Sequence, residues 1–250
     1  MKRHPILVGN WKMHGSRSSS VELMSSIASG VSMRPVDVAL CVPFPLLQLA
    51  EETLGSSTVA WGAQTLSENE DGAHTGDVSA RMLREFGCSY VIVGHSERRS
   101  AHGESDEVVA AKTRTALQAR LTPIVCVGET VFDREAGLAK SIILRQLDAV
   151  MSTLDEVERE RCIVAYEPVW AIGTGLTATP EQAAEAHGWI RSRIAEGSAV
   201  AAESIRILYG GSVKPSGAKD LFSMPGIDGA LVGGASLISE SFVAIAAAAA

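Results

Sequence analysis

No stretch of this chain reaches the ~20 apolar residues that a membrane-spanning helix needs. It has no CxxC pair and no Cys/His cluster at metal-ligand spacing. Its four cysteines, Cys41, Cys88, Cys126 and Cys162, stand singly in or beside apolar runs. Buried, reduced thiols are expected, which suits a reducing cytoplasm. There is no basic stripe, and the net charge is −7. That speaks against a nucleic-acid partner, because nothing is available to neutralise a phosphate backbone. A small anionic ligand is still allowed, since a few N–H groups and one Lys can hold a phosphate inside an acidic protein. No GxGxxG follows the first apolar run, so a dinucleotide-binding start loses ground. No Pro/Gly/Ser-rich linker divides residues 1–250, and one domain is expected. The opening Met1-Lys2-Arg3-His4-Pro5 leads into an apolar run too short for a signal-peptide core.

What is present is a regular alternation. Short apolar runs lie at 6–11, 37–42, 59–63, 90–93, 122–127, 163–166, 206–209 and 229–232. Most are continuously apolar, as parallel strands covered on both faces require. Longer helical patterns separate them. Thr179-Pro180-Glu181-Gln182 reads as an N-cap, a first-turn Pro and a capping-box Gln. Phe86-Gly87 and Leu54-Gly55 read as glycine helix ends. The closing run Ala246 to Ala250 reads as the frayed end of a last helix. Eight strands alternating with helices argue for a barrel or a doubly wound sheet. A length of 250 residues is normal for one (β/α)₈ barrel. In a barrel the strand ends open on one face, where active sites sit.

Four segments carry chemistry. Ala165-Tyr166-Glu167-Pro168-Val169-Trp170-Ala171-Ile172-Gly173-Thr174-Gly175 places a carboxylate at the end of an apolar strand, then a Pro-Trp elbow and a small-residue loop tip. That is the layout of a general base beside a lid. The others are Gly9-Asn10-Trp11-Lys12, Gly94-His95-Ser96-Glu97-Arg98-Arg99 and Tyr209-Gly210-Gly211-Ser212-Val213. With these four in this order and spacing, the chain closely resembles the triosephosphate isomerase family over essentially its whole length. The resemblance implies a (β/α)₈ barrel and interconversion of dihydroxyacetone phosphate and glyceraldehyde 3-phosphate through an enediolate, with no cofactor.

The resemblance also implies roles. Glu167 is the base, and its apolar surroundings desolvate the carboxylate and strengthen it. His95 polarises the substrate carbonyls. A helical turn starting at Ser96 disfavours a positive imidazole, so a neutral donor is expected. Lys12 is the cation for the phosphate and the developing oxyanion, with Asn10 as its hydrogen-bonding neighbour. Glu97 and Ser96 are supporting residues, Glu97 as an ion-pair partner of Lys12 or as a secondary proton relay. The backbone at Gly173, Ser212, Gly233 and Gly234 forms a phosphate cradle. The loop 65–79 reaches a second subunit, which implies a homodimer with Thr75 near the partner's active site.

Three positions depart from the family pattern. Leu176 stands after the lid tip where Lys is common, His74 stands where an aromatic is usual before Thr-Gly, and Thr65 replaces an Asn. Two other readings compete. Lys12 of a phosphosugar barrel could form a Schiff base, as in class I aldolases. A barrel that only binds phosphate is the non-catalytic alternative, and it has no need of a base at Glu167.

Overall fold

The computed structural model describes residues 3–173 and 176–250. Eight parallel strands close into a barrel: β1 (Ile6–Asn10), β2 (Asp37–Cys41), β3 (Ala60–Ala63), β4 (Tyr90–Val93), β5 (Thr122–Val127), β6 (Ile163–Tyr166), β7 (Arg206–Tyr209) and β8 (Gly229–Val232). Each pairs with its neighbour in chain order, and β8 returns to β1, with Val8 opposite both Ala39 and Leu231. Helices follow the strands around the outside, so the fold is a (β/α)₈ barrel.

Side-chain alternation along the strands builds two apolar layers. Ile6, Val8, Ala39, Cys41, Ile92, Ile124, Cys126, Ile163, Ala165, Leu208 and Leu231 fill the barrel interior. The intervening Leu7, Leu40, Val91, Val125, Val164 and Ile207 point outward into the layer shared with the helices. Most strand residues are therefore buried on both faces of the sheet, the first residues of several strands excepted, which accounts for the largely apolar strand sequences. All four cysteines are buried and unpaired. No helix among the described residues is long and apolar enough to cross a membrane.

Several local expectations meet their structures here. The helix Pro180–Gly197 starts with the full Thr179/Gln182 capping box. The helix Ala80–Glu85 ends at Phe86, followed by left-handed Gly87 (φ 69°). Gly55 also ends its helix, but with right-handed backbone (φ −56°), because its N–H still donates to the Glu51 carbonyl. The alanine-rich end is not frayed: the helix Ser239–Ala249 is continuous, with Ala246 and Ala249 buried. Small side chains there let the helix lie close against its neighbours. β1 stops at Asn10, so Trp11 and Lys12 lie beyond it, and Glu167 is the first residue after β6. Lys12 breaks the strand because its backbone turns left-handed (φ 52°).

Candidate active site

The C-terminal ends of the strands surround a cavity of about 440 Å³. Asn10, Lys12, His95, Glu167, Gly173, Ser212, Gly233 and Gly234 all line it. Ser96 and Glu97 stand just behind His95 and contact the lining residues through hydrogen bonds. Thr75 is exposed on the loop between β3 and the helix Ala80–Glu85 and does not line the cavity.

Glu167 is almost fully buried. Its position is set by main-chain bonds, with Glu167 N–H donating to the Val127 carbonyl at 2.8 Å. A Cβ on the neighbouring Gly128 would lie 1.9 Å from the Glu167 carbonyl oxygen, so only glycine lets the two strand ends approach this closely. Glu167 Oε2 accepts from the Ser96 N–H at 2.8 Å. Ser96 thus supports the carboxylate through its main chain. Glu167 Oε1 lies 2.9 Å from His95 Nε2, but off the line of a hydrogen bond.

His95 is the N-cap of the helix Ser96–His102, and its Nδ1 accepts from the Glu97 N–H at 3.2 Å. That bond fixes the tautomer: the proton sits on Nε2, facing the cavity. Its pKa is set by burial, by the neighbouring carboxylates and, least, by the Lys12 ammonium, which lowers it. Burial, the largest, pushes it down; the Glu167 carboxylate and then Glu97 push it up, and the net direction is upward. The backbone amide at Nδ1 opposes a second proton, because the only free ring nitrogen is already accepting.

Lys12 sits in left-handed backbone, a costly conformation for a residue with a side chain. Two bonds hold it there. Its N–H donates to Asn10 Oδ1 at 3.0 Å, and Gln64 Nε2 donates to its carbonyl at 2.8 Å. The ammonium reaches Glu97 Oε1 at 2.6 Å. The Asn10 side chain therefore shapes the Lys12 turn as well as lining the cavity.

The segment expected to form a lid begins with Pro168 and the 3-10 turn Val169–Ala171. That turn is anchored from below. Glu129 is fully buried, and its Oε1 accepts from Trp170 Nε1 at 2.9 Å, Tyr166 Oη at 3.1 Å and Arg134 Nη1 at 2.8 Å. The Arg134 guanidinium also lies over the Trp170 ring, 5.2 Å from its centroid. Gly173 has positive φ (71°), and Leu176 is exposed while Ala178 is buried. Thr174 and Gly175 of the expected lid tip lie outside the described residues. Behind β6, Tyr166 meets the buried His187 edge-on, with centroids 6.0 Å apart. His187 Nδ1 bonds to the Gly226 carbonyl at 3.0 Å.

The family model described as triosephosphate isomerase matches residues 5–249. The chain belongs to the triosephosphate isomerase family. The triosephosphate isomerase of Dechloromonas aromatica (strain RCB) is 50% identical over 247 residues, covering 99% of each chain. That of Coxiella burnetii (strain Dugway 5J108-111) is 53% identical over 247 residues, 98% of this chain and 97% of the relative. The crystal structure of triosephosphate isomerase from Bartonella henselae superposes with a TM-score of 0.90 at 40% identity, covering 98% of both chains.

Within this family member, some contributors escaped the sequence reading. Gln64 holds Lys12, and Glu129 anchors the Val169–Ala171 turn through Trp170. His14 and Lys214 line the cavity at its rim. Glu129 had a signal: it follows the apolar 122–127 run after a glycine, as Glu167 follows its own strand. Gln64 had none, since an amide immediately after a strand is unremarkable.

Proposed function

We propose that this chain interconverts dihydroxyacetone phosphate and D-glyceraldehyde 3-phosphate, in glycolysis and gluconeogenesis. The observation that carries the proposal is the buried Glu167 carboxylate beside the Nε2 face of His95, with Lys12 lining the same cavity. To reach a substrate C–H, Glu167 leaves the Ser96 N–H. It takes the proton from C1 of the ketose while His95 Nε2–H hydrogen-bonds the carbonyl oxygens. A substrate oxygen at Nε2 takes the place of Glu167 there, which removes the larger upward pull on the imidazole, while the Glu97 N–H on Nδ1 keeps the ring a neutral donor. The enediolate charge rests on the Lys12 ammonium and the Nε2–H. Glu167 then returns the proton to C2, and a hydroxyl proton moves from O1 to O2, giving the aldose without net oxidation or reduction. N–H groups at Gly173, Ser212, Gly233 and Gly234 receive the phosphate, as suits loops after the last two strands of a barrel. No metal or organic cofactor enters these steps.

The same reading includes a homodimer in the cytoplasm, with Thr75 near the partner's site. Met13, Met82 and Phe86 are exposed apolar groups in the single chain, and a subunit contact would cover them. Light scattering at micromolar concentration is expected to give a dimer; a fully active monomer would contradict the role given to Thr75. For the reaction itself, a coupled assay with glyceraldehyde 3-phosphate should show NADH oxidation by glycerol phosphate dehydrogenase. Absence of isomerisation, or a substrate adduct trapped on Lys12 by borohydride, would overturn the reading in favour of binding or aldolase chemistry.

A further inference from the structure

We propose that Lys214 is a positioning residue that draws the dianionic substrate into the site from a distance. This rests on the isomerase reading above. The chain carries a net charge of −7, so at long range it repels a phosphorylated triose. The charge that overcomes this has to stand at the mouth of the cavity. Two lysines line the cavity. Lys12 is already paired with Glu97 at 2.6 Å, which cancels much of its distant field. Lys214 is exposed and makes no ion pair or side-chain hydrogen bond among the described residues. It stands two residues after Ser212, at the N-cap of the helix Pro215–Ser223, where its own side chain caps nothing. The positive end of that helix adds to its field.

The size of the effect follows from Coulomb attraction in water. A charge about 10 Å from a dianion speeds encounter by about threefold at ~10 mM salt and by almost nothing at ~0.5 M. Steering of this kind raises kcat/KM and leaves kcat alone, because Lys214 does not touch the reacting atoms.

The test compares wild type with Lys214→Gln, Lys214→Glu and Lys214→Arg from ~10 mM to ~0.5 M ionic strength. With glyceraldehyde 3-phosphate, Lys214→Gln should lose about threefold in kcat/KM at low salt and Lys214→Glu about tenfold. Lys214→Arg should match wild type, and all four curves should converge at high salt with kcat unchanged. Unphosphorylated D-glyceraldehyde should show no difference at any salt. A deficit that is constant across ionic strength, that falls on kcat, or that persists with D-glyceraldehyde overturns steering. Failure of wild type to isomerise at all would instead overturn the functional reading.

Discussion

His187 should make this protein measurably acid-sensitive above the range where carboxylates titrate. It is fully buried, it donates Nδ1–H to the Gly226 carbonyl, and its Nε2 has no partner. Burial pushes its pKa from 6.5 down to about 4. Below pH 6.5 the unfolded chain therefore takes up a proton that the folded chain refuses. The stability this provides is complete above pH 6.5 and is lost as the pH falls toward 4. The whole shift corresponds to roughly 3 kcal/mol, of which roughly 2 kcal/mol disappears between pH 7 and pH 5. For a chain of this size that is about 4–8 °C in Tm. Other shifted groups act elsewhere. His95 is shifted upward, so its contribution is present below 6.5 and lost at higher pH. Glu104 and Asp133 are shifted downward, so theirs is lost only below the ordinary carboxylate range. The variant is His187→Gln, whose amide can still donate to Gly226. Unfolding by urea and by heat, at one fixed protein concentration from pH 5 to 7, gives the slope. Wild type should fall steeply and the variant should stay nearly flat, whatever its absolute stability. Parallel curves for the two would refute the assignment.

Glu167→Asp should keep the circular dichroism spectrum and lower kcat about 10²-fold, because a shorter carboxylate misses the near-attack position; wild-type turnover would remove Glu167 as base. Lys12→Met should lower kcat/KM by about 10²-fold or more through lost oxyanion and phosphate stabilisation, read in the same coupled assay. Exhaustive chelation and dialysis should leave native turnover intact, and a loss restored by metal would contradict the cofactor-free steps. Deleting residues 172–175 should leave a folded barrel that releases inorganic phosphate and methylglyoxal, since an uncovered enediolate expels phosphate; clean isomerisation by that variant would show the lid is not the water-excluding device.

The strands were legible in the sequence to within one residue, because β-rich apolar runs between helical patterns leave little freedom in a barrel. The Thr179 capping box was legible because its bonds are local. The meeting of Ser96 with Glu167 was not, since 71 residues separate them and the donor is a main-chain N–H that every residue type carries. The left-handed turn at Lys12 was hidden for a related reason: it is imposed by Asn10 and Gln64, not by a preference of lysine. His187 reads as one polar residue of an amphipathic helix, and only packing against Tyr166 shows that its ring is sealed from water.

The pairing of β8 with β1 has a consequence for how the chain is made. The partner of the first strand is the last, and more than 200 residues lie between Ile6 and Gly229. A ribosome therefore releases β1 long before its second neighbour exists. Until residue 229 emerges, the growing chain carries two open strand edges, one on β1 and one on the newest strand. Such edges template pairing with other chains. Late, long-range closure also slows folding and lengthens the time those edges stay open. Once the ring shuts, no edge is left. The nascent chain is sticky and the finished barrel is not, and the change falls on the last tenth of synthesis.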